Sequence, residues 1–188
     1  MRVVAGERKG LRLKAATGNT TRPTTDKVKE SLFNIIGPFF DGGVVLDLFA
    51  GSGGLGIETL SRGADKGVFI EKDRKAYAVL KENIEKCHYE EQAEVFCNDA
   101  VRAVKALLKR EIVFDYIFVD PPYAKREYYE LVQALVDNGK VSNDAILICE
   151  HAKEVKLPTA YGDFTLQRQE LYGSSYISIY RKVEEEGE

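Results

Sequence analysis

The stretch from Val44 to Leu55, reading VVLDLFAGSGGL, constrains this chain more than any other. A short apolar run closes on an acid, passes through a loop of small residues, and enters Gly56, Ile57, Glu58 and Leu60 at helical spacing. That is the pattern of a strand, a tight turn and a helix start. Such a turn is a place to hold a ligand.

Gly51, Gly53 and Gly56 satisfy G-x-G-x-x-G, and Glu71 lies twenty residues beyond Gly51 at the close of a second apolar run. A dinucleotide fingerprint therefore has to be weighed. Asp47 is the discriminating residue, because a carboxylate at the strand end beside the glycine loop repels a pyrophosphate and attracts an ammonium or sulfonium. S-adenosylmethionine is a ligand of that kind. The order D-x-F-x-G-S-G, followed by an acid ending the next strand, resembles the cofactor site of class I methyltransferases. The competing reading is a doubly wound domain whose glycines only let a helix pack closely on a strand.

Short apolar runs alternate with amphipathic segments along the rest of the chain. Helices are expected over 55–62, 74–87, 100–109 and 127–138, and strands over 66–71, 93–98, 114–120 and 145–150. This alternation signals a parallel sheet covered by helices on both faces. Two β-rich runs, 165–172 and 176–181, meet at Gly173-Ser174-Ser175 with no room for a helix, so an antiparallel hairpin closes the sheet. The expectation is an α/β fold with a seven-stranded, mostly parallel sheet of class I, Rossmann-like methyltransferase type. Upstream, 1–5 and 11–13 form a small hairpin carrying basic residues outward. A helix begins near Asp26 after the extended TTRPTTD connector and stops at Gly37-Pro38. Arg22, Thr24, Thr25 and Asn34 there are candidates for a lid over the cofactor, or equally for capping and packing.

A second site lies where the strand over 114–120 runs directly into Asp120-Pro121-Pro122-Tyr123. Two prolines after a buried strand force an extended turn and present the aromatic ring at the sheet's carboxyl edge, where open α/β sheets bind ligands. The chemistry that suits this loop is methylation of an exocyclic nucleobase amine. If Asp120 and the Pro121 carbonyl accept its two N–H bonds, the nitrogen can rehybridise toward the methyl group. Tyr123 is then expected to stack on the base. Glu71 is expected to accept the ribose hydroxyls and Asp99 the adenine amino group. With Asp47, Phe49, Ala50, Gly51, Ser52, Gly53 and Gly56 of the loop, Lys72, Asn98 and Ala100 complete the expected cofactor surface. No metal is required. Cys87, Cys97 and Cys149 read as core packing, and His88 and His151 as surface or capping residues.

Charge bears on the partner. Of the 188 residues, carrying a net charge of −3, positions 1–29 hold eight basic side chains against Glu7 and Asp26. The arm therefore carries +6 and the remainder −9. A basic arm on an acidic body points to an anionic partner, nucleic acid being the commonest. Arg2, Arg8, Lys9, Arg12, Lys14 and Arg22 are the candidate RNA contacts on the arm. Lys125 and Arg126, just past the second site, are candidates for phosphates. The length suits one domain over 1–188, with a basic extension (1–25), a core (26–181) and a disordered acidic tail (182–188). No signal-type leader or membrane-length apolar run is present, so a cytoplasmic location is expected.

The combination of MRVVAG, TRPTTDKVKESLFNII, VLDLFAGSGGLGIETLSRGA, DPPY and the late Leu171-Tyr172-Gly173 resembles the bacterial small-subunit (16S) rRNA guanine-N2 methyltransferase family over nearly the whole chain. The resemblance implies methyl transfer from S-adenosylmethionine to the N2 amine of one guanine in 16S rRNA, within an assembling or assembled small subunit, by a monomer. Adenine-N6 enzymes acting on DNA use a near-identical loop, although no separate target-recognition domain is present here. A non-catalytic RNA-binding protein on the same fold is the third reading, against which Asp47, Glu71 and Asp120 all stand intact.

Overall fold

The computed structural model describes residues 1–16, 25–122, 124–184 and 187. The connector with Arg22 and Thr24, the aromatic Tyr123, and Glu185, Glu186 and Glu188 of the acidic tail lie outside the described residues.

Helix α1 (Asp26–Ile36) starts where the sequence places it, with the Thr25 side chain accepting the Val28 N–H. It turns Leu32, Phe33 and Ile36 into the core. There follow β1 (Val44–Asp47), α2 (Gly54–Ser61), β2 (Lys66–Glu71), α3 (Arg74–Lys86), β3 (Ala93–Cys97), α4 (Ala100–Leu107), β4 (Phe114–Val119), α5 (Arg126–Asp137) and β5 (Val141–Ala152). The chain ends in β6 (Ala160–Tyr161), β7 (Phe164–Tyr172) and β8 (Ser175–Lys182). The sheet runs β3-β2-β1-β4-β5-β8-β7-β6. It is parallel through β5 and antiparallel beyond. One apolar layer packs α4 and α5 against residues such as Val68 and Leu147, and the other packs α1, α2 and α3 against Val45, Phe69 and Phe118. Strand order reverses between β1 and β4, which opens a crevice at their carboxyl ends.

Seven of the strands stand where alternation and apolar runs put them. The eighth, β6, is two residues long and pairs with β7, too short for any periodic signal. Strand β5 begins four residues before its expected start, because polar Ser142, Asn143 and Asp144 hide an irregular stretch. The register jumps there from Phe114 opposite Val141 to Tyr116 opposite Ile146. The N-terminal hairpin reduces to one bridge, Arg2 opposite Arg12, reinforced by Val3 N–H to Leu11 O at 2.9 Å and Leu13 N–H to Met1 O at 2.9 Å. Among the described residues no helix is long and apolar enough to cross a membrane.

Three local expectations are corrected. Cys97 is exposed, lying at the end of the edge strand β3 rather than in the core. His151 is buried, its Nε2 2.7 Å from Ser178 Oγ. Arg8 does not reach outward but docks on the body, donating from Nε to Cys87 O at 2.6 Å with its guanidinium over the Tyr89 ring.

A buried ionic cluster ties the arm to α1 and α2. Glu58 of α2 meets Arg62 Nε at 2.9 Å and Lys29 Nζ at 3.4 Å, all three side chains being enclosed. It also accepts the backbone N–H groups of Val4 and Ala5. Lys29 Nζ donates in addition to Arg2 O at 2.6 Å. Lys29 sits among apolar neighbours on α1, where periodicity alone gives no sign of a buried partner.

Candidate active site

The glycine loop follows from backbone geometry. Leaving β1, Leu48 N–H bonds Phe118 O and Ala50 N–H bonds Ile70 O, which anchors the chain between β4 and β2. Gly51 (φ +56°) and Gly53 (φ +92°) then take left-handed conformations that L side chains avoid, and Gly53 caps α2. The two roles proposed for the glycines separate here. A Cβ on Gly56 would stand 2.3 Å from the Phe69 ring, so Gly56 permits helix-on-strand packing. A Cβ on Gly51 would meet nothing within 4 Å, so Gly51 borders open space.

Asp47 is buried beside this loop, and its Oδ1 has no hydrogen-bond partner. Burial pushes its carboxyl up to about 7; the Gly56 N–H pulls it back, the Glu71 charge pushes it further, and the Phe49 N–H again lowers it. Glu71 at the end of β2 is likewise raised to about 7, by burial and then by the charge of Asp73, against the N–H groups of Lys72 and Gly51. An unpartnered buried carboxyl oxygen calls for a donor or a cation. The arrangement therefore disfavours a pyrophosphate.

The surrounding residues fall into place unevenly. Phe49 packs edge-on against Tyr128 of α5 at 4.8 Å, joining the loop to the helix that follows the second site. The Ser52 carbonyl accepts Asn83 Nδ2 at 2.8 Å, which fixes the loop against α3. Asp99 uses Oδ1 to cap α4, accepting from Val101 N–H at 2.9 Å and Arg102 N–H at 3.2 Å. Asn98 Oδ1 accepts the Asp99 N–H, Ala100 is buried, and Lys72 is exposed.

Asp120 leaves β4 two residues past Phe118, the register partner of Asp47. It borders a small recess of about 10 Å³ walled by Leu32 of α1, Leu55 of α2, Ile148 of β5 and Ile177 of β8. Helix α1 thus forms a wall of the crevice through Leu32, whereas Thr25 caps and Asn34 points to solvent. Ser31 Oγ lies 2.7 Å from the Tyr172 hydroxyl, linking that wall to the β7–β8 hairpin. Glu150 also borders the recess, one residue past Cys149 as Asp120 is one past its register partner Val119. The sequence reading passed over Glu150, although it closes an apolar run as Asp47, Glu71 and Asp120 do. Asp120 is raised well above the usual carboxylate range by burial, then by the charges of Glu150 and Asp47. Glu150 is raised by burial.

The candidate basic residues differ in their surroundings. Lys9 and Arg12 are exposed on the arm, Arg2 pairs with Asp26, and Lys14 pairs with Glu82. Arg126 at the start of α5 is largely exposed, 3.4 Å from Glu130, and Lys125 stands over the Tyr128 ring.

Residues 1–181 match the family model described as conserved hypothetical protein 95. The chain belongs to this family. Ribosomal RNA small subunit methyltransferase D of Escherichia coli K12 is 33% identical over 188 residues, covering 100% of this chain and 92% of its own. YlbH of Bacillus subtilis, named as a candidate rRNA methyltransferase, is 48% identical over 97% of this chain and 99% of its own. The solved Escherichia coli structure of yhhF, described as a candidate methyltransferase, superposes with a TM-score of 0.82 at 32% identity, over 97% of each chain. The family fold is the class I methyltransferase fold seen here, with the terminal hairpin extended by β6.

Proposed function

We propose that this chain transfers a methyl group from S-adenosylmethionine to the exocyclic N2 amine of a guanine in 16S rRNA of the small ribosomal subunit. One observation carries the reading: Asp47 at the end of β1, buried with its Oδ1 unpartnered, and Asp120 just past the neighbouring β4 lie close enough for their charges to interact at the switch point of the sheet. Kinship with Ribosomal RNA small subunit methyltransferase D supports the choice of rRNA.

S-adenosylmethionine supplies an electrophilic methyl group on a sulfonium when bound. Asp47 offers that positive charge a counter-ion, the open side of Gly51 gives it room, and Glu71 accepts ribose hydroxyls. Asp120 and the Pro121 carbonyl accept the N–H bonds of the amine, Pro122 stiffens the turn, and Tyr123 stacks on the base. Arg2, Lys9, Arg12, Lys125 and Arg126 contact RNA phosphates, while docked Arg8 contributes less. The protein acts as a monomer on the subunit or its assembly intermediate.

The test is transfer of labelled methyl to small subunits lacking the modification, to naked 16S rRNA and to duplex DNA, followed by nucleoside analysis. N2-methylguanosine from either RNA substrate is the expected product. N6-methyladenine in DNA would replace this reading with that of a DNA enzyme, and cofactor binding without transfer to any substrate would remove catalysis from it.

A further inference from the structure

The recess holds an acid pair that the glycine loop does not explain. Strands β4 and β5 run parallel with Val119 opposite Cys149, so Asp120 and Glu150 are the next residues across the same register. Both line the same recess, and two carboxylates held side by side away from water repel each other, so a proton on one of them relieves the pair. The other groups facing the pair are Asp47 from β1 and Tyr129 from α5, whose hydroxyl donates to the Glu150 carbonyl at 2.8 Å. Helices α1 and α2 and strand β8 contribute only Leu32, Leu55 and Ile177. None of the residues lining the recess is a cation, so a proton is what the lining itself offers to relieve the repulsion.

We propose that Glu150 is a positioning residue for the transfer, taking over the pair's proton so that Asp120 meets the substrate amine as a carboxylate. This rests on the reading of the site as one for amine methylation. Before an amine arrives, the proton rests on Asp120, which burial and then the charges of Glu150 and Asp47 push well up. Once an amine is presented, Asp120 passes its proton to Glu150 beside it and accepts an amine N–H instead. The amine nitrogen bonds the methyl carbon as the methyl–sulfur bond breaks, and that electron pair stays on sulfur. The N–H bond then breaks toward Asp120, its electrons returning to nitrogen. The pair goes from one proton to two, and its negative charge disappears together with the positive charge of the sulfonium. The surplus proton leaves to water after the product departs.

The experiment is the pH dependence of single-turnover methyl transfer, at saturating cofactor and RNA, for the wild type and Glu150→Gln. It is paired with carboxyl ¹³C NMR titration of both ligand-free proteins, which does not depend on turnover. Without the neighbouring anion Asp120 ionises more easily, so the acidic limb of the variant moves to lower pH by at least about one unit, a tenfold change in proton affinity. The NMR titration replaces two separated steps with one step at lower pH. An unmoved limb, or a uniform loss of rate with the limb in place, assigns Glu150 a merely structural role and overturns the proposal. So do two independent, unshifted titrations in the wild type. Nucleoside analysis separates this outcome from the parent reading: a different methylated amine changes the substrate and leaves the limb comparison valid. If the wild type transfers to nothing, the NMR titration alone decides.

Discussion

Asp47 is the residue whose charge state decides what the glycine loop can hold, and replacing it with Asn tests this without changing its shape. Its carboxyl moves from an ordinary 3.8 to about 7. Three pH units correspond to roughly 4 kcal/mol that ionised Asp47 costs in the absence of a partner. A sulfonium offsets part of that cost, whereas the neutral thioether of S-adenosylhomocysteine does not. The two ligands share ribose, adenine and amino-acid groups, so pH effects on Glu71 cancel in their ratio. Calorimetric titration of both at about pH 8, 7 and 6 should show the preference for the sulfonium shrinking by up to roughly tenfold per unit below 7. In Asp47→Asn the preference should be smaller and flat with pH. A wild-type ratio that does not change with pH, or an Asn variant that keeps the slope, would refute the argument. The same group sets a stability slope. A carboxyl raised in the folded state remains protonated there while its unfolded counterpart ionises, so stability falls as pH rises from about 4 to 7 and returns on acidification. Urea midpoints of the ligand-free protein should lose part of this slope in Asp47→Asn, by at most about 1.4 kcal/mol per pH unit.

Glu58→Gln should destabilise the fold by about 3–5 kcal/mol in urea unfolding, because it leaves enclosed Lys29 and Arg62 without their counter-charge; a loss under about 1 kcal/mol would show that the cluster is dispensable. Gly56→Ala forces a Cβ to within 2.3 Å of the Phe69 ring, so about 1–3 kcal/mol of stability should go with it. An unchanged urea midpoint in that variant would mean that α2 shifts freely. Asp120→Ala should keep cofactor affinity and lose methyl transfer, and normal turnover would remove Asp120 from the reaction. Neutralising Arg2, Lys9 and Arg12 together should lower RNA affinity and flatten its salt dependence by up to about three counter-ions while sparing cofactor binding; an unchanged slope would place the RNA elsewhere.

Elements with a period or a stop signal were legible before the structure: α1 stops at Gly37, α5 stops two residues before Gly139, the strand at 66–71 matches its apolar run, and that expected over 114–120 ends one residue sooner. Acids ending apolar runs also pointed to the site, and Asp47, Glu71 and Asp120 do converge on one edge of the sheet. What the sequence hid are relations between distant positions. Lys29, Glu58 and Arg62 look like surface charges on two helices, and only tertiary packing encloses them. Arg8 belongs to a basic run, yet a carbonyl seventy-nine residues away captures it. Glu150 carries the same strand-end signal as the other acids, but its meaning depends on the register of β5 against β4, which an irregular polar stretch conceals.

The two groups of enclosed charge in this molecule are balanced differently, and the contrast bears on function. Glu58 accepts from two cations and two backbone N–H groups, so its charge is met within the protein. At the crevice, Asp47, Glu71, Asp120 and Glu150 gather at the carboxyl ends of four adjacent strands, and all four are raised above their usual range. Hydrophobic packing alone would not select such an arrangement, since each ionised member adds repulsion and desolvation that apolar residues of similar size would avoid. The deficit has the sign of a missing cation beside β1 and missing N–H donors beside β4. A sulfonium and an exocyclic amine are the pair of groups that satisfies both deficits, and the reaction between them removes the positive charge at the moment the acid pair takes up a proton. The site is therefore least strained electrostatically with both reactants in place, which favours their joint binding over either one alone.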